Sequence, residues 1–265
     1  MAHIVEPKPR GILTYQDGHE PFQLHRALPA PQFARLVEHY WSVSWNLEGR
    51  EPFESETLPH PSVHLVLETQ RSEIVGVMRG RFTRRLEGIG FVFGIKFLPG
   101  AFHALGRAPV TSFTDRRVAP VKVFGENWHA FEAELLSQQS FDAMAHTTEN
   151  FLASINPTID ANAELAREIV FTIRDDRSIL RVDAVADEFA LSKRQLQRLF
   201  AEYVGVSPKW VIERYRMHEA VEQLSAGQEC DIAQLAHSLG YFDQAHFHKA
   251  FRRLTGKSPG EYATR

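Results

Sequence analysis

The chain has 265 residues, 43% hydrophobic and 24% charged, with a net charge of −3, so it has the composition of a globular protein of one large or two ordinary domains. A single cysteine, Cys230, excludes an internal disulfide and any four-cysteine zinc site and fits a reducing compartment. The opening MAHIVEPKPRG lacks the apolar run of a signal peptide, and no stretch approaches the roughly 20 apolar residues of a membrane span, so the expectation is a cytoplasmic protein that does not contact a membrane.

To about residue 115 the chain reads as β-structure. HYWSVSWNL alternates, placing Trp41, Val43, Trp45 and Leu47 on one strand face. SVHLVLE, EIVGVM and GFVFGIKFLPG follow, rich in Val, Ile and Phe and punctuated by Gly and Pro, as in a sandwich or small barrel. From about Val123 the period changes. NWHAFEAELL spaces Trp128, Phe131 and Leu135 as a helix does, SQQS interrupts, and FDAMAHTTENFLASI resumes with Phe141, Met144, Phe151 and Leu152. SINPTID, with Pro157, reads as a linker. The rest is helical, with caps visible in the letters. Ser192 precedes Gln195 and Asp231 precedes Gln234, both capping-box spacings. Ser207-Pro208 and Ser258-Pro259 set a cap before a proline at the first helical position. Gly205, Gly227, Gly240 and Gly256 separate helices. The predicted fold is α+β. A mainly-β domain spans residues 1–125, a helical segment and linker suited to dimerisation spans 126–159, and an all-α domain spans 160–265.

Two stretches of the helical half share a pattern: VDAVADEFALSKRQLQRLFAEYVGVSPKWV and DIAQLAHSLGYFDQAHFHKAFRRLTGKSPGEY. Each has a short helix with a small residue inside (Ala186; Ala236), a tight turn, a second helix and a closing Gly-x-Ser-Pro. This is a duplicated helix-turn-helix, joined by a long helix around Pro208 to Ala226. In the first unit Leu196, Leu199, Phe200 and Tyr203 form the apolar stripe, leaving Arg194, Gln197 and Arg198 open. In the second unit Phe247, Ala250, Phe251 and Leu254 form the stripe, and Gln244, Ala245, His246, His248, Lys249, Arg252 and Arg253 lie on other faces. A recognition helix sets its N-terminal half against base edges, where Arg reads guanine, Gln reads adenine and small apolar groups meet the thymine methyl. His246 and His248, two positions apart, point about 200° away from each other and cannot share one metal ion. The charge of residues 178–265 is nearly balanced, roughly 12 basic against 11 acidic side chains, so position rather than net charge carries the DNA reading.

Residues from about 165 to 265 resemble the DNA-binding domain of the AraC/XylS family of bacterial transcription regulators. The resemblance rests on Ala186, Leu191-Ser192 with LQRLF, Gly205-x-Ser-Pro, Ile232-Ala233 with Ala236, Leu239-Gly240-Tyr241 with Asp243-Gln244, Phe247, Phe251 and Gly256-x-Ser-Pro-x-x-Tyr262. It implies seven helices, with both recognition helices in successive major grooves on one DNA face. It also implies base contacts by Arg194, Gln197 and Arg198 in the first unit and by Gln244, Ala245, His246 and Lys249 in the second. Ala245 departs from the larger polar side chain usual there and offers only apolar contact. Lys193, Lys209, Arg252 and Arg253 are the expected phosphate contacts. Double-stranded DNA is thus the expected partner, with RNA polymerase as a further one and a homodimer as the expected assembly.

The N-terminal half resembles, more weakly, poorly characterised sensory domains attached to some AraC-like regulators, through HYW, LPHPSVHLV and FGIKFLPG. Trp41, Trp45, His64, Phe91 and Phe93 are the expected lining of a small-molecule effector pocket. His60, His64 and Glu68 are spaced by four, which admits an alternative: a metal-dependent, cupin-like sensor-enzyme. Pro61 and the lack of His-x-His weigh against it. A second alternative is a degenerate domain that binds a protein partner instead of DNA. No phosphate loop and no nucleophile elbow is present, Cys230 reads as inert, and neither catalytic residues nor a cofactor is expected.

Overall fold

The computed structural model describes Leu13, residues 21–225 and residues 231–263. Gly227 and Cys230, singled out above, lie outside these residues. Among the described residues seven strands come first, β1 (Phe22–Ala27), β2 (Val37–Leu47), β3 (Phe53–Thr57), β4 (His64–Leu67), β5 (Glu73–Val75), β6 (Phe82–Leu86) and β7 (Gly88–Phe97), and an eighth, β8 (Arg117–Val118), follows the first short helix. Six form one sheet in the order β1-β2-β7-β4-β5-β8, and β3 pairs with β6 in a second; every pairing is antiparallel. Short helices α1 (His103–Gly106) and α2 (Val121–Phe124) lead to α3 (Asn127–Leu136) and α4 (Phe141–Ile155).

The first two long helices pack on their own sheet. Phe93 lies against Phe141 and stacks on Tyr40, while Glu149 accepts from the Ala30 N–H at 2.7 Å and the Tyr40 hydroxyl at 3.5 Å. Seven helices follow residue 160 among the described residues: α5 (Ala161–Asp175), α6 (Val182–Glu188), α7 (Lys193–Leu199), α8 (Pro208–Ser225), α9 (Ile232–Ser238), α10 (Gln244–Thr255) and α11 (Pro259–Ala263). Mixed α+β architecture, β-rich first and helical last, is as the patterns predict.

Local chemistry sets the helix starts. The Ser192 hydroxyl and Gln195 make the reciprocal capping box at α7. At α9 the Asp231 carboxylate accepts from the Ala233 and Gln234 N–H groups, the forward half of the expected pair. Asp243 caps α10 and Asp160 caps α5 in the same way. Ser258 and Glu261 form a further reciprocal pair at α11.

The two helix-turn-helix units repeat in their backbone bonds. Phe189 N–H donates to Val185 O, Ala190 N–H to Asp187 O and Leu191 N–H to Ala186 O; Leu239, Gly240 and Tyr241 donate in the same order to Leu235, His237 and Ala236. The pivot is left-handed in both units, at Ala190 (φ 50°) and Gly240 (φ 79°). A β-carbon at Gly240 would also lie 3.1 Å from Leu180 Cδ1. Gly240→Ala should therefore cost about 1 kcal/mol and keep the fold, since Ala190 already bears that conformation. Urea denaturation of the two proteins measures the difference.

Two apolar cores divide the molecule differently from its sequence halves. The larger runs from the helix-covered sheet face (Tyr40, Phe93, Phe97) through Phe131, Leu152, Ile169 and Ile173 into the first unit (Leu196, Phe200) and the start of α8 (Val211, Tyr215). The smaller holds the second unit: Leu235, Phe247, Phe251 and Tyr262 around Met217, Val221 and Leu224 of α8. The long helix thus belongs to both cores.

Candidate nucleic-acid interface and inter-sheet cavity

On α7 the stripe turns inward as patterned, with Leu196 and Phe200 fully buried. Lys193, Arg194, Gln197 and Arg198 are exposed beside one another. Lys193 Nζ pairs with Asp183 of α6 at 2.6 Å, and exposed Lys209, in the first turn of α8, lies 3.7 Å from Glu213. Exposed pairs of this kind contribute about 0–1 kcal/mol, so both lysines are easily drawn to another anion. On α10 Phe247 and Phe251 are fully buried, while Gln244, Ala245, His246, Lys249, Arg252 and Arg253 are exposed. His246 meets the Tyr241 ring edge-on at 5.3 Å, and Gln244 Nε2 lies 3.4 Å from His248 Nε2. Burial, and then the Glu213 carboxylate, push the Tyr241 phenol up to about 12.

One exposed aromatic in this region was not singled out from the sequence. Phe242, in the turn before α10, is 94% exposed. The doublet Tyr241-Phe242 was the available signal, because a single turn position can feed only one of two adjacent rings into the core.

The other feature is a cavity of about 530 Å³ between the two sheets, closed at one end by α5 and α8. Pairing register sets its floor. Residues opposite one another across β1, β2, β7 and β4 share a face, so the rows can be read off. Phe22, Trp45 and Gly90 form one row, Leu24, Val43 and Val92 the next, Arg26, Trp41, Gly94 and Val66 the third, and His39, Lys96 and His64 the fourth. The floor therefore grades from aromatic to basic along the strands. Phe82, Arg84 and Leu86 of β6 face it from the small sheet.

The glycines are steric requirements. A β-carbon at Gly94 would overlap the Trp41 indole, and one at Gly90 the Trp45 indole. Each indole thus lies flat across β7. Trp45 Nε1 donates to Glu87 O at 3.1 Å, and Arg84 covers its ring at 5.3 Å. Trp41 Nε1 is buried with no acceptor among the described residues, and so is His64 Nδ1 beside it. Lys96 Nζ pairs with Glu38 at 2.8 Å. Burial, then the Lys96 and Arg26 charges, lower His64 to about 3; burial, Lys96, Arg26 and His64 lower His39 to about 2. Both imidazoles are neutral at ordinary pH.

Of the five expected pocket residues, Trp41, Trp45 and His64 line this cavity. Phe91 and Phe93 do not, which corrects that expectation. They pair with Ser44 and Ser42 and so sit on the opposite face, where Phe93 is fully buried in the helix-covered core and Phe91 is 39% exposed. The metal alternative meets a different arrangement. Glu68 is held by both terminal nitrogens of Arg84, His60 stacks on His218 of α8 at 4.2 Å, and His64 meets Trp41 edge-on at 6.1 Å. The three side chains do not converge, and no metal-holding cluster occurs among the described residues. The arginines of the cavity, and its walls from α5 and α8, were not foreseen. Alternation in FQLHRA and FTRRL carried part of that signal, placing Arg26 with Phe22 and Leu24, and Arg84 with Phe82 and Leu86.

Comparison with known proteins adds to this geometry. A helix-turn-helix domain family matches residues 185–265, and a domain of unknown function (DUF6597) matches residues 25–119. A Streptomyces lividans protein described as an AraC-like transcription regulator is 31% identical over 117 residues, 44% of this chain and 36% of its own length. The transcriptional activator RhaS of Escherichia fergusonii is 37% identical over 79 residues, 30% of this chain and 28% of its own. The chain thus spans about a third of the length of these relatives. The crystal structure of ToxT from Vibrio cholerae O395 aligns over 92% of this chain and 97% of its own at 13% identity, with a TM-score of 0.40, too low for any of its residues to be carried over. No helix among the described residues is long and apolar enough to cross a membrane. Following a β-rich domain of unknown function, the chain carries a helix-turn-helix domain, and it is similar in sequence to proteins described as AraC-like transcription regulators.

Proposed function

We propose that this chain is a sequence-specific DNA-binding transcription regulator. In this reading α7 and α10 read two successive major grooves, and a small-molecule effector in the inter-sheet cavity controls them. The observation that carries it is the repeated unit: two helix pairs with matching turn bonds, each leaving polar and basic side chains exposed along a recognition helix whose apolar stripe is buried. Arg194, Gln197 and Arg198 read bases from the first unit, and Gln244, Ala245, His246 and Lys249 from the second. Lys193, Lys209, Arg252 and Arg253 hold phosphates and set the register. The cavity suits an effector site because α8, which supplies part of its wall, also carries both cores.

Selection of bound duplexes from a random library, at stated salt, tests this reading. Two enriched motifs about one helical turn apart are expected. On the selected site Arg198→Ala should cost about 1–3 kcal/mol and relax preference at one base pair. Equal losses on selected and random duplex would place Arg198 on the phosphates, and no enrichment at all would sink the reading.

A further inference from the structure

We propose that the inter-sheet cavity binds an uncharged, planar aromatic alcohol of the phenol or naphthol class, its ring lying on the Trp41 indole and its hydroxyl meeting Trp41 Nε1 and His64 Nδ1. The inference rests on the effector reading of this cavity and names the ligand's chemistry.

Three observations carry it. The first is a contrast between two indoles on one floor. Gly90 and Gly94 let Trp45 and Trp41 each lie flat across β7. Trp45 is completed within the chain: its N–H donates to Glu87 O, and Arg84 covers its ring. Trp41 lines the same cavity half-buried, and its buried N–H has no acceptor among the described residues. With Phe82 and Leu86 facing the floor, it offers a planar ring an aromatic surface to lie on. At about 530 Å³ the space has the size of known small-molecule sites. The second is a pair of unmet polar atoms on adjoining rings. His64 meets Trp41 edge-on at 6.1 Å, and its Nδ1 is also buried without a partner among the described residues. An indole N–H only donates, while a neutral imidazole nitrogen donates or accepts according to its tautomer. Leaving either buried and unpaired is costly. A hydroxyl both accepts and donates, so one such group serves both rings. The third is that the charges around the cavity are already matched. Lys96 pairs with Glu38, Arg84 with Glu68, Arg117 with Glu73, Arg174 with Asp175, and Arg177 and Arg216 with Glu219. Arg26 and Glu222 are engaged as well, and the imidazoles of His39 and His64 are neutral. An ion of either sign would lose its water there without gaining a counter-charge, whereas an uncharged ligand leaves every pair closed.

Equilibrium dialysis of the full chain against three probes of one ring system tests this: 2-naphthol, 2-naphthoate and 2-naphthylmethylammonium, at about pH 7, where an aromatic hydroxyl keeps its proton. Naphthol should bind once per chain and at least about tenfold tighter than either ion. Trp41→Phe keeps an aromatic ring and removes the donor, and His64→Leu removes the imidazole. Each should weaken naphthol about fivefold, the increment of one neutral hydrogen bond. No naphthol binding, either ion binding as tightly as naphthol, or unchanged naphthol affinity in a folded variant would each overturn the assignment. The three-probe comparison needs no variant, so it stands if both variants misfold. None of these measurements contains DNA. Failure to select a duplex would sink the regulator reading and leave the ligand class standing, and failure of naphthol would do the reverse.

Discussion

Replacing Phe247 with alanine is expected to unfold the second helix-turn-helix unit and leave the first in place. Phe247 is fully buried at the centre of the smaller core, packed against Tyr241 at 5.2 Å and Phe251 at 5.6 Å. Truncating a buried phenylalanine costs about 3–5 kcal/mol, part of it for the cavity left behind. That core has few members to absorb the loss, and α10, with 12 residues, is too short to persist without packing. The first unit shares the larger core with the sheet and the helices that cover it, which Phe247 does not touch. Hydrogen exchange read by mass spectrometry should show amide protection lost over residues 232–263 and kept over residues 161–211. Loss over both stretches would mean that the two cores open together. On DNA, the regulator reading expects the motif of one groove to disappear while the other remains.

How much of this was legible before the structure depends on how local each signal is. The helical half was nearly all readable. Ser192 with Gln195, and Asp231 before Ala233 and Gln234, act within one turn of chain. The stripe Leu196, Phe200, Tyr203 needs only the 3.6-residue period to declare its buried face. The β-half resisted for the opposite reason. Trp41 and Trp45 were placed on one strand face correctly, but joining them to Phe91 and Phe93 required the register between β2 and β7. That register pairs Trp41 with Gly94 and Trp45 with Gly90, so the neighbouring phenylalanines point the other way. A shift of one residue exchanges every side chain between faces, and no letter in GFVFGIKF states which parity holds. The two glycines were a usable clue, since a glycine inside a strand often marks a close approach.

The cavity walls from α5 and α8 were out of reach of any local pattern. Tyr215, His218 and Glu219 lie more than 100 residues beyond the strands they face. In the sequence they read as ordinary positions of a linking helix. His60 shows the same limit. Its spacing to His64 and Glu68 suggested ligation, but its partner is His218, brought to it by packing of α8 on the loop before β4.

Arg216→Ala should be the most damaging substitution on α8 outside the apolar stripe. Arg216 is 3% exposed. Its Nη2 donates to Ile173 O at 3.0 Å and Asp176 O at 2.9 Å, and its Nη1 to Glu219 at 2.8 Å. The last carbonyls of any helix lack partners within it, so Arg216 supplies from α8 what the end of α5 cannot supply for itself. Alanine removes all three bonds and leaves Glu219 with Arg177, 3.3 Å away, as its remaining cation. Breaking a buried, hydrogen-bonded ion pair from one side costs about 3–5 kcal/mol. Arg216→Lys keeps the charge but cannot span two carbonyls and a carboxylate, so it should recover only part of that loss. A double-mutant cycle with Glu219→Ala, read by urea denaturation, separates the ion pair from the carbonyl bonds. If alanine and lysine cost the same small amount, the joint between α5 and α8 does not depend on this side chain. If the ordering holds, one arginine ties the end of α5 to the helix shared by both cores, at the wall where cavity and helix-turn-helix units meet.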